Sequence, residues 1–291
     1  MKMDIRPLTS IDDVAQLEAL QLLVWPGSET DVVPAHIMLA IARNGGLVLG
    51  AYDQDRLIGF VAGFLGTDHE SPDRPALARL KHHSHMLGVH PDYRDEGVGF
   101  HLKSAQRDFV HKQGIRLITW TYDPLQSRNA YLNIHRLGAV CRRYHREAYG
   151  EMRDQLNVGY PSDRFEVEWW ITSARVKSRL KGSRRTLDLA NFLGAGAVKI
   201  NPAQLGADHL LQPAEKILPM EDRIILVEIP PEITLIKERD AEISRSWRMQ
   251  TRMLFEEAFS KGYLVTDFIY LREERFPRSY YVLSYGEGSL G

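Results

Sequence analysis

The run His85-Met86-Leu87-Gly88-Val89-His90-Pro91-Asp92-Tyr93-Arg94-Asp95-Glu96-Gly97-Val98-Gly99 constrains this chain more than any other stretch. It begins as an apolar strand, turns at His90-Pro91, and passes through a glycine-bearing loop straight into a helical pattern with apolar residues at Val98, Leu102, Ala105 and Phe109. A helix start leaves four backbone N–H groups without internal partners, and the helix dipole adds positive potential there. Such an end binds phosphate. Gly97 and Gly99 allow the backbone to approach a pyrophosphate with no Cβ in between. Arg94, in the spacing Arg-x-x-Gly-x-Gly, can add charge-assisted contacts. An isolated Gly-x-Gly step is more often only a tight strand-to-helix turn. Two other phosphate loops do not fit: a dinucleotide fingerprint needs a glycine where Leu102 stands, and a P-loop needs Gly-Lys-Ser/Thr.

The flanking sequence alternates strand and helix signals, which predicts an α/β layer structure. Residues 3–8 read as a strand. Ser10, with Asp13 three residues on, reads as the N-cap of a helix carrying Val14, Leu17 and Leu20. A second short helix fits residues 34–43, and residues 47–52 and 57–65 form a hairpin pattern. Beyond the central loop, the spacing predicts strands over 115–122, 139–145 and 165–171, with a helix over 127–137. The basic run 176–185 is the linker candidate, more simply read as a solvated face because no aromatics interleave it. After it, residues 191–218 show no clear period. A strand is expected over 224–229, a long helix over 238–261, and a closing strand pair over 263–271 and 279–283.

Hydrophobic residues make up 44% of the 291 residues and charged ones 26%, a globular composition. The net charge of −1 gives no reason to expect a nucleic-acid partner. Cys141 is the single cysteine, so no internal disulfide can form and a reducing compartment is expected. The first residues lack the apolar core of a signal peptide, and no apolar stretch is long enough to span a bilayer. The expectation is a cytoplasmic protein with no membrane partner.

The segment Leu87 to Gly99 resembles the acyl-CoA signature of the GNAT acetyltransferases: an apolar strand ending in Val, then Pro, an acidic residue, Tyr-Arg, and the [Gln/Arg]-x-x-Gly-x-[Gly/Ala] loop. Residues 127–139 are similar to the family's "Asn-x-x-Ala-x-x-Leu-Tyr-x-x-x-Gly-Phe" helix, and the upstream hairpin and helices fit its N-terminal arm. The resemblance covers about residues 1–172. It implies a GNAT-type mixed central sheet flanked by helices over residues 1–175, with an additional C-terminal α+β region at 186–291 that resembles nothing recognised. It further implies that backbone groups at Met86, Leu87, Gly88 and Val89 pair with the pantetheine arm like an added strand. Amides from Asp95, Glu96, Gly97, Val98 and Gly99 would hold the pyrophosphate, with Arg94 and Asn129 also assigned to the cofactor. The co-substrate would be acetyl-CoA or another acyl-CoA. The reaction would be direct attack of an acceptor amine on the thioester, served by proximity, a base and an acid.

Departures from the family pattern fall on the chemistry. The tyrosine that often protonates the leaving thiolate is replaced by Ile134, the opening Asn by Ser127, and the final Phe by Ala139. Tyr131, one helical turn before Ile134, is the substitute acid candidate, against the commoner reading of tyrosine as packing. Histone-type relatives carry a Glu at the position of His83, and His85 lies two residues on along the same strand face. Both are base candidates, set against an equally good reading of residues 82–85 as a solvated strand entry. A metal role for His82, His83, His85 and His90 is disfavoured, because alternation splits them and no Cys pair accompanies them. Asp123 and Arg164 are secondary candidates, an orienter and an acceptor-carboxylate ligand, against a turn and a surface ion pair. The function expected is N-acyl transfer to a small-molecule acceptor, an amine or amino-acid-like compound. The alternative is a catalytically quiet GNAT fold that binds CoA. For residues 186–291 the roles considered are a cap over the acceptor site and a homodimer contact.

Overall fold

Local signals become elements close to where the sequence puts them. After strand β1 (Met3–Pro7), Ser10 and Asp13 form a reciprocal capping box, and helix α1 (Ile11–Val24) buries Val14, Leu17 and Leu20. Helix α2 (Ala35–Arg43) follows, then the hairpin β2 (Leu47–Asp53) and β3 (Arg56–Thr67). Next come β4 (Leu80–Val89), α3 (Val98–Lys112) and β5 (Leu117–Tyr122). This computed structural model describes residues 3–27, 29–68, 72–150, 152, 158–182, 187–272 and 276–286. Residues 183–185 of the linker candidate lie outside the described residues.

Contacts divide the chain into two units that interleave along the sequence: residues 1–120, 152–159 and 170–172, and residues 121–151, 160–169 and 173–291. The last boundary of this division falls between residues 172 and 173. In the first unit the strand order is β1-β2-β3-β4-β5, antiparallel up to β4, with a parallel step from β4 to β5. Helix α1 packs its buried residues with Tyr52, Phe60 and Ala62. Val98 and Leu102 of α3 pack with Leu49, Ile58 and Val61.

The second unit begins with α4 (Ser127–Ala130), which continues as a π-helical stretch over Tyr131–Arg136. The N–H of Leu137 reaches the carbonyl of Leu132 at 2.9 Å, a five-residue step. Strands β6 (Val140–His145) and β7 (Arg164–Trp170) follow, then helices α5 (Ala174–Leu180) and α6 (Leu189–Gly194). Helix α5, capped by Ser173, occupies much of the segment read as a linker candidate. The aperiodic stretch after α6 holds only two-residue strands: β8 (Val198–Lys199), β9 (Gln204–Leu205) and β10 (Leu211–Gln212). Strand β11 (Ile224–Ile229) matches its expectation. The long helix expected over 238–261 is α8 (Ala241–Ser260), started by the Asp240 carboxylate, which accepts the N–H groups of Glu242 and Ile243; a separate helix, α7 (Ile233–Arg239), precedes it. Strands β12 (Tyr263–Leu271) and β13 (Arg278–Tyr285) close the chain's order of elements. Within this unit the strands run β7-β6-β12-β13-β11-β8. Its core is aromatic: Phe165 packs edge-on to Phe255 and Tyr281, and Phe268 to Tyr281. The molecule is thus α/β, with mostly antiparallel sheet flanked by helices. Among the described residues no helix is long and apolar enough to cross a membrane.

Candidate functional site

Strand β4 pairs with β3 along its whole length, but with β5 only at His82↔Ile118 and His83↔Thr119. The parallel ladder therefore stops just before Ser84, and the strand residues Met86, Leu87, Gly88 and Val89 lie past its end. A bulge falls at the same place. Ala62 opposes Met86 while Gly63 opposes Ser84, so His85 is an extra residue on β4.

The turn after β4 is pinned by its own side chains. The Asp92 N–H donates to His90 Nδ1 at 3.2 Å, and the Tyr93 hydroxyl donates to Asp53 in the hairpin turn at 3.3 Å. The chain then crosses the left-handed region twice, at Asp95 (φ 68°) and Gly97 (φ 83°). Gly97 is the N-cap of α3 and supplies no capping side chain. Arg94, Asp95 and Glu96 are exposed on this loop. A second glycine sets how closely the helix approaches. A Cβ on Gly59 of β3 would lie 2.9 Å from Val98 Cγ1 and 3.1 Å from the Gly88 carbonyl oxygen. The start of α3 is thus held against the end of β4 with its first-turn backbone beside the strand, an arrangement suited to a phosphate-bearing ligand.

The two candidate bases come together. The rings of His83 and His85 lie 6.2 Å apart between centroids, and Phe64 touches both. Expected from simple alternation, this neighbourhood is instead produced around a bulge. Desolvation lowers the pKa of His85 from the ordinary imidazole value, which favours the neutral ring.

Behind β4 lies a buried polar cluster that sequence reasoning missed. Lys103 of α3 is 2% exposed. Its Nζ donates to Ser84 Oγ at 2.7 Å and to Gln106 Oε1 at 3.3 Å, and sits 3.8 Å from the centroid of the Trp120 ring. Gln106 Nε2 lies 3.2 Å from Nε2 of the fully buried His82. Burial, then the Lys103 charge, push His82 down to about 4, and burial alone pushes Lys103 well below its ordinary value. The signal was present: the buried positions of α3 are Val98, Leu102, Lys103, Gln106 and Val110, so the inward stripe passes through two polar residues.

The remaining candidates lie in the second unit. Asn129 is exposed on α4. Ser127 is buried, and its hydroxyl donates to the Pro231 carbonyl at 2.5 Å. Tyr131 is 36% exposed and stacks on His135 at 4.8 Å, whereas Ile134 is fully buried. The π register separates them, so Tyr131 does not share the surroundings of Ile134 as an ordinary helical turn would suggest. Asp123 accepts from the buried Arg248 at 2.7 Å. Arg164 is buried, with Nη1 donating to the Asp163 carbonyl.

Residues 12–138 match the model of the acetyltransferase (GNAT) family. Comparison with curated protein sequences gives no match. Among solved structures, this chain is similar to Arabidopsis thaliana NAA60 in complex with acetyl-CoA, at 19% identity over 58% of this chain and 99% of that one, with a TM-score of 0.47. It is also similar to a mosquito arylalkylamine N-acetyltransferase like 5b, at 16% identity over 57% of this chain and 99% of that one, with a TM-score of 0.42.

Proposed function

Because residues 12–138 match the model of the GNAT acetyltransferase family, we propose that the chain is an acyl-CoA-dependent N-acyltransferase, with acetyl-CoA as default donor and a small amine or amino-acid-like compound as acceptor. The observation that carries this is the pairing pattern of β4: its ladder with β5 ends at His83, and the strand then runs to a helix start capped only by Gly97. Backbone groups at Met86, Leu87, Gly88 and Val89 take the pantetheine arm as an added strand. The amides of Asp95 to Gly99 take the pyrophosphate, with Arg94 adding charge. Asn129 is the cofactor contact assigned on α4. The acceptor nitrogen attacks the thioester directly, and no covalent enzyme intermediate forms. His85, exposed and favoured in its neutral form, is the base that takes the acceptor's proton, with His83 beside it. Tyr131, partly exposed, is retained as a candidate acid.

Calorimetry with acetyl-CoA tests the binding half. The wild-type chain binds, and Gly99→Glu, which puts a carboxylate into the phosphate cradle, loses at least about tenfold in affinity, roughly 1.4 kcal/mol. A Gly99→Glu protein that binds acetyl-CoA normally contradicts the assignment. A second reading has its own support. The family's acid position is the buried Ile134, and the Ser127 hydroxyl is spent on Pro231, as suits a fold that binds CoA without turning it over. Thiol release from acetyl-CoA across a panel of amines separates the two.

A further inference from the structure

The last paired residues of β4 and β5 are His83 and Thr119. The next residue on each strand is Ser84 and Trp120, and both touch the same atom, the Lys103 amine, at 2.7 Å to Ser84 Oγ and 3.8 Å to the Trp120 ring centroid. Lys103 therefore places its nitrogen at the point where the two strands part. Among the described residues no carboxylate is ion-paired with it. The groups that face it are Ser84 and His82 from β4, Gln106 from its own helix and Trp120 from β5. Of these only His82 titrates, and it is held neutral down to about pH 4. A structural lysine is normally given an anion or solvent for its charge. This one has hydroxyl and carbonyl acceptors and an aromatic face, a setting that holds either protonation state and moves a lysine toward neutral pH.

We propose that Lys103 is the proton donor to the departing thiolate of CoA. This rests on the acyl-CoA reading above, in which the pantetheine arm follows β4 toward the bulge and brings the thioester to the parting point. The acceptor nitrogen bonds to the carbonyl carbon, the carbon–sulfur bond breaks, and the sulfur leaves with the bonding pair. Lys103 Nζ delivers a proton to that sulfur and becomes a neutral amine. The proton shed by the acceptor nitrogen passes to His85, and water returns a proton to Lys103. The role that the family gives to the position of Ile134 is thus taken by a lysine of α3.

The test needs no acceptor. The bound CoA thiol is titrated by the ultraviolet absorbance of its thiolate, with the desulfo-CoA complex as blank, and the affinity for both compounds is measured by calorimetry. In the wild-type chain the bound thiol ionises at a pH lower by about one unit or more than free CoA, a tenfold shift in the ionisation equilibrium. In Lys103→Met, of similar length and without a charge, the shift is lost while desulfo-CoA still binds. A wild-type complex whose thiol titrates like free CoA overturns the proposal, whether or not the variant folds. So does a Lys103→Met protein that keeps the full shift. If neither compound binds the wild-type chain, the acyl-CoA reading itself fails and the proton-donor role falls with it.

Discussion

The two units bury polar groups in opposite ways. In the first, Lys103, His82, Gln106 and Ser84 share an interior region in which, among the described residues, their hydrogen bonds go to one another and to no carboxylate. In the second, buried carboxylates are met by arginines. The fully buried Asp163 accepts from Arg252 at 2.7 and 2.8 Å, from the Tyr144 hydroxyl at 2.6 Å and from the Glu147 N–H at 3.1 Å. Asp267 is held by Arg179 and His135, and Asp123 by Arg248. Paired charges in a dry interior are committed to structure, because losing either partner strands the other. An amine and an imidazole with no carboxylate partner among the described residues instead have their charged forms disfavoured by burial. That leaves them able to exchange protons, and it is the kind of environment found around groups with chemical roles.

The contrast can be broken first at its strongest point. Asp163→Ala leaves the Arg252 guanidinium and the Tyr144 hydroxyl without their acceptor, and should cost about 3–5 kcal/mol, read by urea unfolding. A loss below about 1 kcal/mol would mean that the pair is no more than a surface bridge.

The next effect is one of pH. His82 has a folded pKa of about 4, below its ordinary 6.5. The unfolded chain therefore binds the proton first, and stability falls as pH drops from about 6.5 to about 4, by on the order of 3 kcal/mol in all. Asp163 acts lower on the scale. Burial would raise its pKa, but Arg252 and Tyr144 outweigh burial and hold it below the ordinary 3.8. Its contribution is complete above that value and lost as pH falls through the lower folded one. Unfolding midpoints between pH 7 and 4.5 should thus decline in the wild-type chain and flatten in His82→Asn.

The smallest change is expected where a buried charge is conventionally thought most costly to touch. Lys103→Met removes no ion pair and exchanges one linear chain for another, so stability should move by less than about 1.5 kcal/mol. A loss of 3 kcal/mol or more would show a paired, structural cation and erase the distinction between the units.

Much of this was legible in the sequence, and the gaps have physical causes. Ser10 with Asp13 announced a capping box, and the strand–glycine loop–helix run placed the start of α3, because both depend on neighbours in sequence. Helix α8 starts three residues later than its spacing suggests, because the start is fixed by the Asp240 carboxylate bonding to Glu242 and Ile243, and the short helix α7 before it was not read from spacing. The π stretch at Tyr131–Arg136 changes hydrogen-bond register without changing composition, so the relation of Tyr131 to Ile134 could not be read from spacing. The bulge at His85 likewise depends on the partner strand. Lys103 was overlooked because a lysine beside an apolar stripe is normally read as solvated, and its burial is decided by Ser84 and Trp120, on strands distant in sequence.

The central claim, that acyl-CoA lies along the end of β4 and on the start of α3, is tested most directly by backbone amide hydrogen exchange with and without acetyl-CoA. Protection should appear over residues 86–101 and fade in Gly99→Glu. Binding that leaves those amides unchanged, with protection confined to residues 186–291, would contradict it.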